Sequence, residues 1–392
     1  MANKQMKDKV DALFGEATRR GDIPGVAALV TDRQQNLYAG AFGERVLGSG
    51  KAMALDTVCW IASMTKPLTT VAVLQLVERG VIDLDVPAIR WLPQLAEAQV
   101  LEGFRADGQP RTRAPKRAIS LRQLLTHTSG FGYEFWSADT QRFQAARKLP
   151  SITTCANDAL MAPLLFDPGT RWEYGTGVDW AGKAVEAASG QRLGTYLREH
   201  VLAPLGMNDT SFKIGPQARL RLARLHQRAE DGSLAPIDLE MPQDPQFEMG
   251  GGGLYGSAED YAIFVRMILN RGRHGEHQIL KPECVDLMGS NQIGDLRVTA
   301  LRTAMPSLTN DAEFFPGTRK TWGLGFQINM EPAFTGQPAG SMMWAGLANT
   351  YFWIDPANGI GGVYLTQIFP FADSKSLPLF YEFEKQVYDA ST

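Results

Sequence analysis

The chain has little cysteine, no strong excess of either charge and no long apolar run, and each shortage removes a class of function. Its three cysteines, Cys59, Cys155 and Cys284, are scattered and never fall in a C-x-x-C pair. They read as reduced, buried thiols, not as a disulfide framework or a metal site. With 39 basic and 42 acidic residues the net charge is −3, so neither nucleic acid nor an anionic membrane is an expected partner. No stretch approaches the roughly 18 apolar residues of a membrane-spanning helix. Met1 to Val10 is polar and lysine-rich with no apolar segment behind it, so no secretory leader is expected and a cytoplasmic location is. No serine lies in G-x-S-x-G, which removes the nucleophile elbow of the α/β-hydrolases. Gly250 to Gly253 lacks the Lys-Ser/Thr of a phosphate-binding loop and reads as a tight turn. His274 and His277 form H-x-x-H without an acidic ligand set, and read as a loop pair; neither metal nor cofactor is expected.

What is present is an ordinary globular composition, 44% hydrophobic and 21% charged over 392 residues, enough to bury a large core. The informative stretch is Trp60 to Thr69, which contains Ser63-Met64-Thr65-Lys66. Leu68, Val71, Ala72, Leu76 and Val77 come next on helical spacing. Ser63 is expected to cap this helix, with Pro67 in its first turn. Residues i and i+3 share a helix face, so the Lys66 amine can approach the Ser63 hydroxyl. A lysine beside a serine is the makings of a Ser/Lys nucleophile pair. Alone the spacing is common, and its weight rests on the residues downstream of it.

Before this stretch the chain predicts an amphipathic helix carrying Met6, Val10, Leu13, Phe14 and Ala17, then strands at Gly25–Thr31 and Leu37–Phe42. From Val81 to about Asn208 short helical patterns alternate with Pro- and Gly-rich loops, and Leu101–Ala118, with its five basic residues, reads as a solvated loop. Strand character returns at Trp322–Met330, Ser341–Trp344, Thr350–Ile354 and Ile360–Ile368. Asp355 to Gly359 supplies turn residues, and Phe380, Phe383 and Val387 mark a closing helix. The expected class is α+β: an antiparallel sheet flanked by helices in a discontinuous lobe, residues 1–82 and 250–392, with a mainly helical lobe, 83–249, inserted.

Further along, Tyr174 sits between the turn Asp167-Pro168-Gly169 and a helix pattern at Val178–Ala188, and Trp344-Ala345-Gly346-Leu347 lies beside a strand. Ser-x-x-Lys, then this tyrosine, then Trp-Ala-Gly, is the motif order of one family. From about Ile23 to Ile368 the chain resembles the serine β-lactamases and penicillin-binding proteins. It is most similar to the β-lactamase-like carboxylesterases of family VIII and to related acyltransferases. The segments Leu124–Gly130, Leu202–Met207 and Gly251–Gly256 add to the resemblance.

The resemblance implies roles. Ser63 is the acylated nucleophile and Lys66 its partner; Tyr174 shares proton transfer with the lysine. Trp344, Ala345 and Gly346 stand where Lys-Thr-Gly stands in β-lactamases, and the Leu347 amide joins that of Ser63 as oxyanion hole. For Lys66 to act as a base, its pKa must fall from about 10.4 to near 7, a differential of roughly 4–5 kcal/mol. Whether Lys66 or Tyr174 is the base stays open on sequence. Class C β-lactamases carry Tyr-x-Asn, whereas Tyr174-Gly175-Thr176 stands here, and Trp344 replaces a lysine that holds the lactam carboxylate. Both departures favour uncharged esters over lactams. Trp136, Trp172 and Tyr255 are candidate walls of an apolar acyl pocket, with core packing the equal alternative. His127 could shape the cleft, and reads as a hydrogen-bonded structural histidine in preference to a triad base. The expected activity is hydrolysis of a small-molecule carboxylic ester through an acyl-enzyme. Behind it stand an acyltransferase with an alcohol acceptor, a β-lactamase or D-Ala-D-Ala peptidase, and last a non-catalytic binding protein.

Overall fold

Two stretches from opposite ends of the chain build one sheet. The computed structural model describes residues 2–390. Helix α1 (Ala2–Arg19) leads into strands β1 (Gly25–Asp32), β2 (Asn36–Val46) and β3 (Lys51–Ala52). After them come helix α2 (Thr65–Glu78), a region of short elements, helix α3 (Gly177–Ser189) within it, and helix α4 (Ala258–Leu269). The remaining strands of the main sheet are β4 (Lys320–Trp322), β5 (Gln327–Asn329), β6 (Met342–Gly346), β7 (Thr350–Asp355) and β8 (Ile360–Leu365); helix α5 (Ser376–Asp389) closes the chain. The sheet order is β4-β5-β6-β7-β8-β1-β2-β3, every pair antiparallel. The two stretches meet where β1 pairs with β8, Ala27 opposite Leu365.

Helices cover the sheet on both faces, which is why β7 and β8 are buried at every residue and do not alternate. On one side Phe14 of α1 and Phe380 and Phe383 of α5 pack against Tyr351, Trp353 and Tyr364. On the other, Tyr261 of α4 meets Phe352 with ring centroids 5.0 Å apart. Helix α2 is buried from Thr65 to Leu76 and packs against α3. A helix enclosed all round needs no polar face, and its sequence has none. Its N-terminus therefore ends inside the protein, beside β6.

The structure departs from the sequence expectations at several places. The strand expected at Ile360–Ile368 ends at Leu365, and Ile368 pairs instead with His226 in a smaller sheet. Ser63 is not the cap of α2: it sits in a 3-10 turn, Ala62–Met64, and the cap position is Met64, with no side-chain bond. Ser63 lies one residue before that position, and its hydroxyl is turned toward Lys66. Trp322–Met330 is not one strand but a hairpin, because Gly323-Leu324-Gly325 turns the chain, with the Gly323 amide donating to the Phe326 carbonyl at 2.9 Å. The basic stretch after residue 100 is also a hairpin, Val100–Phe104 with Pro110–Arg113. Its Arg113 forms a two-pronged pair with Asp167 at 2.9 and 2.7 Å, fastening the turn that precedes Tyr174. Among the described residues, no helix is long and apolar enough to cross a membrane.

Phe383 is fully enclosed by Phe14, Tyr38 and Trp353. Phe383→Ala is expected to cost about 3–5 kcal/mol, read as a lower midpoint of urea denaturation with an unchanged slope.

Candidate active site

The turn that carries Ser63 is held from two directions. Trp60 pairs with Tyr255 as the chain enters it, the Ile61 amide donates to the Leu254 carbonyl at 3.1 Å, and the Trp60 indole donates to the Gly252 carbonyl at 2.7 Å. From the sheet side, the Thr350 hydroxyl donates to the Ile61 carbonyl at 3.3 Å. Gly346 lets β6 come this close, because a Cβ there would run into both the Ile61 carbonyl and the Thr350 hydroxyl. Ala62 takes a left-handed φ of 45° just before the serine. A non-glycine residue in that region is costly, and such strain gathers at functional sites.

Lys66 is fully buried. Its Nζ donates to Ser63 Oγ at 3.1 Å, to the Tyr133 hydroxyl at 3.1 Å and to the Gly251 carbonyl at 2.7 Å. Burial pulls the lysine down to about 7, against the opposing pull of the Asp179 charge. Asp179 lies in the first turn of α3, with no exposed surface. It accepts from the Gly251 amide at 2.7 Å and from the Tyr133 hydroxyl at 3.0 Å. Burial raises this carboxyl, while the lysine charge and the two donors hold it down. A Cβ on Gly251 would sit 2.6 Å from Asp179 Oδ2 and 2.7 Å from the Tyr133 oxygen, so only glycine leaves room for this junction. The flanking carbonyls of Gly250 and Gly252 accept from Thr69 and from Trp60. The glycine run is thus a row of acceptors along the start of α2.

Tyr174 faces the pair from the other side, its ring centroid 4.6 Å from Lys66 Nζ. Burial pushes its phenol well above the usual range, and the Ser63 hydroxyl and the Trp344 indole partly offset that. Trp344 Nε1 donates to the Tyr174 oxygen at 3.0 Å. The tryptophan that replaces a lysine therefore carries a hydrogen bond as well as apolar area.

A narrow pocket opens onto Ser63 and Tyr174, and its walls include Phe135, Trp136, Leu301, Trp344, Ala345, Leu347 and Phe371. Of the three sequence candidates for its walls, Trp136 is there. Trp172 lies behind Tyr174 against Trp322. Tyr255 is buried beside the serine turn, where its hydroxyl accepts from the Met241 amide at 2.9 Å. A larger cavity elsewhere, lined by Arg192, Phe212 and Glu248, contains neither Ser63, Lys66 nor Tyr174. Tyr133 and Asp179 escape the sequence reading. The alternating aromatics Phe131, Tyr133 and Phe135 after the Leu124–Gly130 segment are a signal for the first, while Asp179 looks like any acidic residue in a helix's first turn.

A large antiparallel sheet covered on both faces, with Ser-x-x-Lys opening a buried helix beside its strand β6, defines the architecture shared by serine β-lactamases and penicillin-binding proteins. The β-lactamase family profile matches residues 10–382, and the chain belongs to that family. An acyltransferase of Monascus pilosus, mokF, is 34% identical over 84% of this chain and 82% of its own. A lovastatin esterase of Penicillium rubens is 32% identical over 90% and 91%. The solved structure of a simvastatin synthase variant from Aspergillus terreus superposes with a TM-score of 0.85 at 33% identity, over 97% of this chain and 96% of that one.

Gly346→Ala is expected to push β6 away from the serine turn and to lower ester turnover by about a hundredfold. Steady-state kinetics, with the folded fraction checked by circular dichroism, reads this.

Proposed function

We propose that this chain is a serine carboxylesterase that works through an acyl-enzyme on Ser63. The observation that carries the reading is how the hydrogens of Lys66 are allotted. The Tyr133 hydroxyl gives its hydrogen to the Asp179 carboxylate, so its oxygen accepts from the lysine. The Gly251 carbonyl can only accept. A neutral Lys66 has two N–H bonds, and these two acceptors take both. Its lone pair is then left facing the Ser63 hydroxyl, the third group in reach. Burial makes the neutral amine available near pH 7.

In the first half-reaction Ser63 Oγ attacks the ester carbonyl carbon while its proton passes to Lys66 Nζ. The amides of Ser63 and Leu347 take the charge that develops on the carbonyl oxygen, in the manner of an oxyanion hole. The proton then reaches the departing alkoxide by way of the Tyr174 phenol, whose position is held by the Trp344 indole. Water repeats the sequence on the acyl-enzyme and frees the acid. Trp344, Phe135 and Phe371 give the cavity an apolar wall without a cation, which suits an uncharged acyl group. The division into a discontinuous 1–82 and 250–392 lobe with 83–249 inserted belongs to the same reading, as does a location in the cytoplasm.

The relatives' names include both an esterase and an acyltransferase, so the same acyl-enzyme has a second outcome in which an alcohol replaces water. The substrate in either case is a small ester. Incubation with a p-nitrophenyl ester, quenching and mass spectrometry are expected to find one acyl group on Ser63, and none in Ser63→Ala. Added alcohol separates the two outcomes: hydrolysis predominates if free acid still forms faster than transferred ester. The rate is expected to fall as pH drops below about 7, where Lys66 takes up its proton. The Asp179 charge favours the protonated lysine, so Asp179→Asn is expected to move that acid limb of kcat/KM to lower pH.

A further inference from the structure

His127 belongs to a sequence segment that the proposed chemistry does not use, yet it lies against the site. It comes just after the short helix Leu121–Leu125 and takes a left-handed φ of 59°. That conformation is unfavourable for a histidine, whereas glycine and, less freely, asparagine adopt it. The residue is buried, and both of its acceptors are spent on the chain around Tyr174. Its backbone carbonyl accepts from the Glu173 amide at 2.8 Å, and its ring Nδ1 accepts from the Gly175 amide at 3.3 Å. The imidazole lies against the tyrosine itself, ring centroids 4.7 Å apart. Accepting at Nδ1 places the ring hydrogen on Nε2. That atom is buried without a hydrogen-bond partner, and the ring stands edge-on to Trp322 at 5.0 Å.

We infer that His127 is a positioning residue for Tyr174, a neutral clamp that grips the peptide on either side of the phenol and fixes its distance from Ser63. The inference rests on the role proposed above for Tyr174. Burial and the nearby Lys66 charge both keep the imidazole unprotonated, and its Nε2 is buried without a hydrogen-bond partner. The ring is therefore an acceptor and a spacer, and takes no part in moving the proton.

The decisive variants share tolerance of the backbone and differ in the acceptor. His127→Gly relaxes φ but removes Nδ1, whereas His127→Asn keeps an amide oxygen near the Nδ1 position. With a p-nitrophenyl ester, the glycine variant is expected to lose about a hundredfold in kcat with KM little changed, and the asparagine variant to recover most of that loss. His127→Gln, whose amide reaches past the Gly175 amide, is expected to be slow like glycine and serves if the glycine variant does not fold. In a Tyr174→Phe background the His127→Gly change is expected to cost no further turnover, since the clamp then holds nothing that reacts. Native kcat in folded His127→Gly or His127→Gln overturns the inference, as does asparagine being as slow as glycine, which would give the imidazole a proton-transfer role. Native turnover in Tyr174→Phe alone sinks the underlying reading instead.

Discussion

An amine removed from water must spend each of its hydrogens on a specific neighbour, and this site is arranged around that requirement. Lys66 meets a carbonyl, a phenol and the serine hydroxyl. What makes the arrangement directional is the carboxylate one step further out. Asp179 fixes the hydrogen of Tyr133 and also holds the amide of Gly251, the residue whose carbonyl takes the shortest bond from the lysine. The same carboxylate opposes the loss of the lysine's proton, so burial and countercharge pull against each other. A site with burial alone would have a lysine that is always neutral and indifferently oriented. With the carboxylate in contact, the amine would hold its proton throughout.

The supporting structure is dictated by where these groups have to be. Lys66 sits at the start of a helix whose burial on every side places its first turn in the interior. The opposite wall comes from β6, brought within contact of the serine turn by Gly346. Tyr174 arrives on a third segment, fastened upstream by the Arg113–Asp167 pair and above by the Trp344 indole. No regular element carries more than two of the participants. Their spacing depends on the hydrogen bonds between segments more than on the stiffness of any helix or strand.

What the sequence revealed and what it hid divide along the same line. Ser63 and Lys66 are legible because an i, i+3 relation is local and needs no tertiary knowledge. The strands of the sheet are legible from runs of β-branched and aromatic residues, although Gly323 and Gly325 turned one apparent strand into two. Tyr174 and Trp344 are legible only by the order of motifs in a family, since nothing in their surroundings predicts that they meet. The cap assigned to Ser63 failed because a 3-10 turn, Ala62–Met64, precedes the helix and leaves Met64 at the cap position. Tyr133 and Asp179 are ordinary residues until the chain folds, and Trp172 and Tyr255 show the reverse, aromatic candidates that turn out to be packing. Leu301 and Phe371 come from irregular segments, where no period marks the face that meets the cavity.

The seam between β1 and β8 joins Ala27 to Leu365, and the serine turn leans on Thr350 and Gly346. A ribosome therefore releases Ser63 and Lys66 long before the strand that stands opposite them has been made. Throughout most of synthesis the emerging polypeptide holds a complete Ser-x-x-Lys segment with no wall opposite it, and domains dominated by such distant pairings are slow to form. A nascent or truncated chain that lacks these last strands therefore carries Ser63 and Lys66 without Trp344, Gly346 and Thr350 to face them.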